Sequence, residues 1–67
     1  MMRSEYDVVV LAEDLPDEGL TKGMSGTIVI VFTNPELAYL VEFCDEEGRT
    51  IAMPALLPDQ LNDYSPD

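Results

Sequence analysis

Gly23-Met24-Ser25-Gly26-Thr27-Ile28-Val29-Ile30-Val31-Phe32 decides the fold of this chain. Two glycines lead straight into a β-branched series that closes on an aromatic residue. Glycine adopts positive φ without steric penalty, so Gly23 and Gly26 read as a tight entry turn. Valine, isoleucine and phenylalanine then favour a pleated strand. Both faces of that strand are apolar, with Ile28, Ile30 and Phe32 on one and Val29 and Val31 on the other. A strand buried on one side alone would alternate with polar residues. This one is expected either to bend across a barrel, covering both faces, or to offer a second apolar face to a partner.

On the N-terminal side, Tyr6 to Leu11 reads as the first strand, with Tyr6, Val8 and Val10 inward and Val9 and Leu11 outward. Glu13 to Lys22 reads as a loop punctuated by Pro16 and Gly19, with Leu15 and Leu20 tucked back onto the core. On the C-terminal side, Thr33-Asn34-Pro35-Glu36 is a turn by composition. Ala38 to Cys44 alternates, placing Tyr39, Val41 and Phe43 inward and Leu40 and Glu42 outward. Asp45-Glu46-Glu47-Gly48 is a hairpin tip with Gly48 at a left-handed position. Arg49 to Met53 returns as a fourth strand with Ile51 and Met53 inward, and Pro54 marks an edge or a bend. Leu56 to Leu61 reads as a short 3₁₀ turn dropping Leu57 and Leu61 onto the core, and residues 62–67 as a flexible tail. The expected architecture is one all-β domain over residues 1–67, a small SH3-like barrel of four to five strands. An OB-fold is the alternative.

Composition narrows the function. Fourteen acidic residues stand against three basic ones, Arg3, Lys22 and Arg49, for a formal charge of −11. Nucleic acid and anionic membranes are bound through lysine and arginine, so neither is an expected partner. A basic protein is the complementary one. A single cysteine, Cys44, and no histidine rule out an internal disulfide and a four-ligand structural zinc site. A lone thiol suits a reducing cytoplasm. No signal peptide and no membrane span are expected. No cofactor is implied.

Read together, Tyr6-Asp7-Val8-Val9-Val10-Leu11, Glu13-Asp14-Leu15-Pro16-x-x-Gly19-Leu20, Gly23-x-x-Gly26-Thr27-Ile28-Val29, Tyr39-x-Val41-Glu42-Phe43, Gly48-Arg49-Thr50 and Leu57-Pro58-x-Gln60-Leu61 resemble a family of small bacterial proteins, common in cyanobacteria, of a domain of unknown function. The resemblance spans Tyr6 to Leu61 and implies an SH3-like barrel without an assigned activity. Some members sit beside small toxin-like genes, which implies an immunity or antitoxin role. The glycine turn is also similar to one in RNA-binding SH3-like barrels. Those carry basic residues around the turn, whereas here Lys22 stands alone among acids.

Three groups are candidate binding residues. Glu13, Asp14, Asp17 and Glu18 form an acidic first loop, and Asp45, Glu46 and Glu47 an acidic hairpin tip. Each reads as a solvated loop or, if the two lie together, as one surface that steers a basic partner. The tip lacks the alternating oxygen ligands of a calcium loop. Val29, Val31 and Leu40, with Val9 and Leu11, form an apolar surplus on faces read as outward, suited to a partner or to self-association. A one-residue slip in register would instead bury them. Cys44 has no histidine to activate it, and no enclosed carboxylate pair is legible, so catalysis is not expected. The chain is thus expected to bind a basic protein such as a toxin, or to serve as an accessory subunit or homo-oligomer.

Overall fold

The computed structural model describes residues 3–65. Its strands are β1 (Val8–Leu11), β2 (Ser25–Phe32), β3 (Ala38–Cys44), β4 (Thr50–Ala52), β5 (Ala55–Leu56) and β6 (Leu61–Asp63), with 3₁₀ turns at Pro16–Glu18 and Pro58–Gln60. The protein is all-β. Every pairing is antiparallel, in the order β4-β3-β2-β1-β6, with β5 also on β3.

The six strands exceed the expected four to five for two reasons. Proline has no N–H to give a ladder, so Pro54 splits the return strand into β4 and β5. Its carbonyl still accepts the Val41 N–H at 3.0 Å. The expectation of a flexible tail from residue 62 is also wrong. Asn62 and Asp63 pair with Val10 and Val9, and Leu61, opposite Leu11, is buried. Of the rest of that predicted tail, Tyr64 and Ser65 are exposed and outside any strand, and 66–67 lie outside the described residues.

Val9, Leu11, Leu20, Ile28, Tyr39, Val41, Phe43, Leu56 and Leu61 form the core, with Leu15, Met24, Val31, Leu37 and Ala52 packed against it. The alternation of β3 is as expected. So is the first loop, where Leu15 and Leu20 exchange backbone hydrogen bonds at 2.9 and 3.1 Å and bring Leu20 inside.

Three inward assignments are overturned. In β1 the buried side chains are Val9 and Leu11, while Val8 is exposed and Tyr6 is 72% exposed. Gly26 is the physical reason. It sits opposite Val9, and a Cβ there would lie 2.8 Å from Val41 Cγ1 and 2.9 Å from both the Glu42 carbonyl oxygen and Phe43 Cε1. The space its missing side chain leaves is taken by the core side chains Val41 and Phe43 and the Glu42 backbone, so Gly26 and its partner Val9 share the core face. Gly26 is therefore a strand residue chosen for close approach, and not part of the turn. Gly23, at φ 96°, is the turn glycine.

In β2 the register shifts between Ile28 and Ile30. The extra residue, Val29, is a β-bulge, and a bulge reverses which side chains face inward beyond it. Ile28 is buried; past the bulge Val31 packs on the core, while Ile30 and Phe32 are exposed. Val31 is therefore not the outward residue expected. In the return segment Ala52 and Leu56 face the core, and Ile51, Met53 and Leu57 face solvent.

Candidate functional site

The strand register fixes where the acidic loops lie. Val10 is opposite Ser25, Thr27 opposite Glu42, and Cys44 opposite Thr50. The C-terminal ends of β1 and β3 and the N-terminal ends of β2 and β4 thus share one end of the sheet. The 12–24 loop and the 45–49 hairpin both leave from that end, separated by the start of β2. All seven acids expected to bind a partner, Glu13, Asp14, Asp17, Glu18, Asp45, Glu46 and Glu47, therefore belong to one pole. Among the described residues no hydrogen bond or ion pair joins the two loops to each other.

Not all seven are equivalent. Asp45 is a turn device. Its Oδ1 accepts the N–H groups of Glu47 and Arg49 at 2.9 and 3.0 Å, and its Oδ2 receives Arg49 Nε at 3.1 Å. The Arg49 amide, foremost among these contacts, holds the Asp45 carboxyl below its ordinary value against an opposing desolvation effect. The same guanidinium also pairs with Glu47. Gly48 completes the tip at φ 83°. In the first loop, Asp14 Oδ1 accepts the Lys22 N–H at 2.8 Å, and Glu13 receives Gln60 Nε2 at 3.3 Å. Among the described residues, Asp17, Glu18 and Glu46 make no side-chain hydrogen bond or ion pair, and all three are exposed. These are the carboxylates open to a partner.

Asp59 is an acid the sequence reading missed. It lies in the turn whose neighbour Gln60 accepts the Ala12 N–H at 2.8 Å, beside the first loop. Only a tertiary contact brings it there, so no local pattern signals it.

Outside the pole, the face of β2 and β3 turned away from the core carries Ile30 (42% exposed), Phe32 (38% exposed) and the half-buried Leu40. Val29 is half-buried in the bulge. Of the five residues read as an outward apolar surplus, Leu40 is the one that belongs to this face; Val9 and Leu11 are core, and Val31 packs on it. An open depression of about 310 Å³ on the same side is lined by Val8, Ser25, Gly26, Thr27, Glu42 and Cys44. Glu42 there accepts the Thr50 hydroxyl. Cys44 is exposed and unpaired, in a chain without histidine.

At the opposite edge, Arg3 Nη2 lies 3.0 Å from Asp63 Oδ1 and 3.4 Å from the Leu61 carbonyl, while the Arg3 N–H donates to the Tyr39 hydroxyl at 3.1 Å. Two of the three basic residues are thus engaged by acids of their own chain. Among the described residues no His, Cys, Asp or Glu group is arranged to hold a metal, and no helix is long and apolar enough to cross a membrane.

Neither a curated protein nor a solved structure matches the chain. A family model does, over residues 5–63, which takes in the whole span of the motifs and all six strands. The chain therefore belongs to the family described as domain of unknown function DUF4926.

Proposed function

We propose that this protein is a non-enzymatic binding module of the cytoplasm that grips a basic protein partner through its acidic pole. The observation that carries the proposal is the gathering of both acidic loops at one end of the sheet, with Asp17, Glu18 and Glu46 unbonded there. A formal charge of −11 on 67 residues gives that pole a long-range attraction for cations. Such fields accelerate encounter and set orientation more than they set final affinity. The immunity or antitoxin role implied by the family resemblance is one form of this function, with a small basic toxin as the partner. The long first loop, the β2–β3–β4 meander and the 3₁₀ turn leading to a last strand on β1 support an SH3-like barrel as the scaffold.

The test is capture of the partner from the native cell, identification by mass spectrometry, and measurement of the purified complex against salt. Exposed charge pairs are screened beyond a Debye length of about 8 Å at physiological ionic strength. Association is expected to slow steeply between low and moderate salt, and to slow again when Asp17, Glu18 and Glu46 are replaced by Asn or Gln. A complex indifferent to both changes refutes the acidic-pole mechanism. Salt-indifferent assembly that Leu40→Asp disrupts supports the second reading, an accessory subunit or homo-oligomer built on the exposed face of β2 and β3.

A further inference from the structure

We infer that the outer face of β2, β3 and β5 docks an apolar segment of a cationic polypeptide, flanked by lysine or arginine; this rests on the acidic-pole mechanism and locates its second contact. Ile30 lies opposite Leu40, and Leu40 opposite Ala55, in one row across three strands. Phe32 and Ala38 make the next row, and Leu57 follows directly on Leu56 at its end. Their neighbours Val31, Tyr39 and Leu56 pack on or within the core, so the alternate side chains of these rows are turned outward.

Size and charge together select the occupant. Strands about 4.8 Å apart, with same-face residues roughly 7 Å apart, make these rows a strip on the order of 200 Å². A stable interface takes about 800 Å² from each partner. The strip therefore holds a partner only if its rim contributes, and the rim is acidic. Glu42 continues the same face of β3, Glu36 precedes β3 in the turn, and Asp59 lies two residues beyond Leu57. Among the described residues no cation borders the strip: Arg3 is bonded to Leu61 and Asp63, while Lys22 and Arg49 belong to the pole loops. A second copy of this chain would set the same acids against each other, with −11 on each side, and like charges across an interface oppose assembly. A cationic partner makes the same rim attractive. In this arrangement the pole draws the partner in, and the strip fixes its register and slows its departure.

Two synthetic peptides of identical leucine and lysine content test this. In one the leucines form a single face; in the other their order is permuted so that none forms. Each is titrated calorimetrically into the full chain, and into Leu40→Ser and Ile30→Ser variants checked for folding by circular dichroism. The wild type is expected to bind the amphipathic peptide about tenfold more tightly than the permuted one, as expected for one apolar side chain buried. Leu40→Ser and Ile30→Ser are each expected to erase that preference and to leave binding of the permuted peptide unchanged. Equal wild-type affinity for both peptides, or a preference surviving both variants, overturns the docking strip and spares the acidic pole. No binding of either peptide at low salt overturns both. A sedimenting dimer that Leu40→Ser dissociates assigns the face to a second copy and overturns the cationic occupant.

Discussion

Substituting alanine at Gly26 and, separately, at Gly23 distinguishes two reasons for keeping a glycine. At Gly26 the added methyl would meet Val41 Cγ1 at 2.8 Å, the Glu42 carbonyl oxygen at 2.9 Å and Phe43 Cε1 at 2.9 Å. One of these is backbone held in the β2–β3 ladder, and the others belong to fully buried side chains. None can yield without moving the core, so Gly26→Ala is an overpacking substitution, worth about 1–3 kcal/mol. Unfolding entropy for a domain of this length makes each kcal/mol about 7 °C of melting temperature. The expected fall is therefore roughly 7–20 °C, a large share of a total stability of about 3–10 kcal/mol. At Gly23 nothing lies within 4 Å of the added carbon, but φ is +96°. The penalty there is backbone strain alone, about 1–2 kcal/mol. Thermal and guanidinium unfolding followed by circular dichroism measures both. The combination with Val41→Ala separates the mechanisms, because trimming the Val41 side chain should recover part of the loss at Gly26 and none at Gly23. A Gly26→Ala protein within about 0.5 kcal/mol of wild type would refute the close-packing account of the strand.

Other outcomes follow from the same structure. Leu11→Ala should destabilise by about 2–5 kcal/mol, while Val8→Ala stays within about 0.5 kcal/mol; equal losses in denaturant titrations would return β1 to the opposite face. Leu61→Ala should likewise lower the denaturation midpoint by the equivalent of about 2–5 kcal/mol, since Leu61 is core and not tail; an unchanged midpoint refutes that. The Asp45 carboxyl is held below its ordinary value of 3.8, so the turn contributes stability that is present above the unfolded value and is lost as pH falls through the folded one. Asp45→Asn should flatten that acid limb in pH-dependent unfolding; an unaltered limb contradicts the assignment. Added sodium chloride should raise the melting temperature by screening a formal charge of −11, and a fall in differential scanning calorimetry would contradict self-repulsion as a destabilising force.

What the sequence makes legible depends on whether polar residues mark the faces. Strand β3 carries Glu42 between Val41 and Phe43, and its inward set reads correctly. Val8-Val9-Val10-Leu11 has no polar residue to fix its phase, and the true phase is set across the sheet, at Gly26. The bulge at Val29 carries no glycine or other local mark, so the reversal that exposes Ile30 and Phe32 is invisible in the chain. In the return segment, small Ala52 weighs less in a hydropathy pattern than Ile51 and Met53, yet it is the one that packs inward. Leu61-Asn62-Asp63 is mostly polar because an edge strand needs only one side chain inside. For the site, the acids were legible individually, since charge is local. Their collection at one pole, and the commitment of Asp45 to its own turn, depend on register and backbone geometry.

The pairing of β1 with β6 also sets when the protein can fold. Leu11 meets Leu61, and Val9 meets Asp63, so the sheet joins segments from nearly opposite ends of the described chain. Loops that long close slowly, and non-local sheets fold slowly for that reason. A nascent chain that has emerged only as far as the β2–β3–β4 meander has a bare β1 edge and a core lacking Leu61. Such an intermediate presents unpaired strand to its neighbours, the usual start of edge-to-edge aggregation. The acids that fill the first loop and the hairpin tip are already present at that stage, and like charges on neighbouring chains oppose their association.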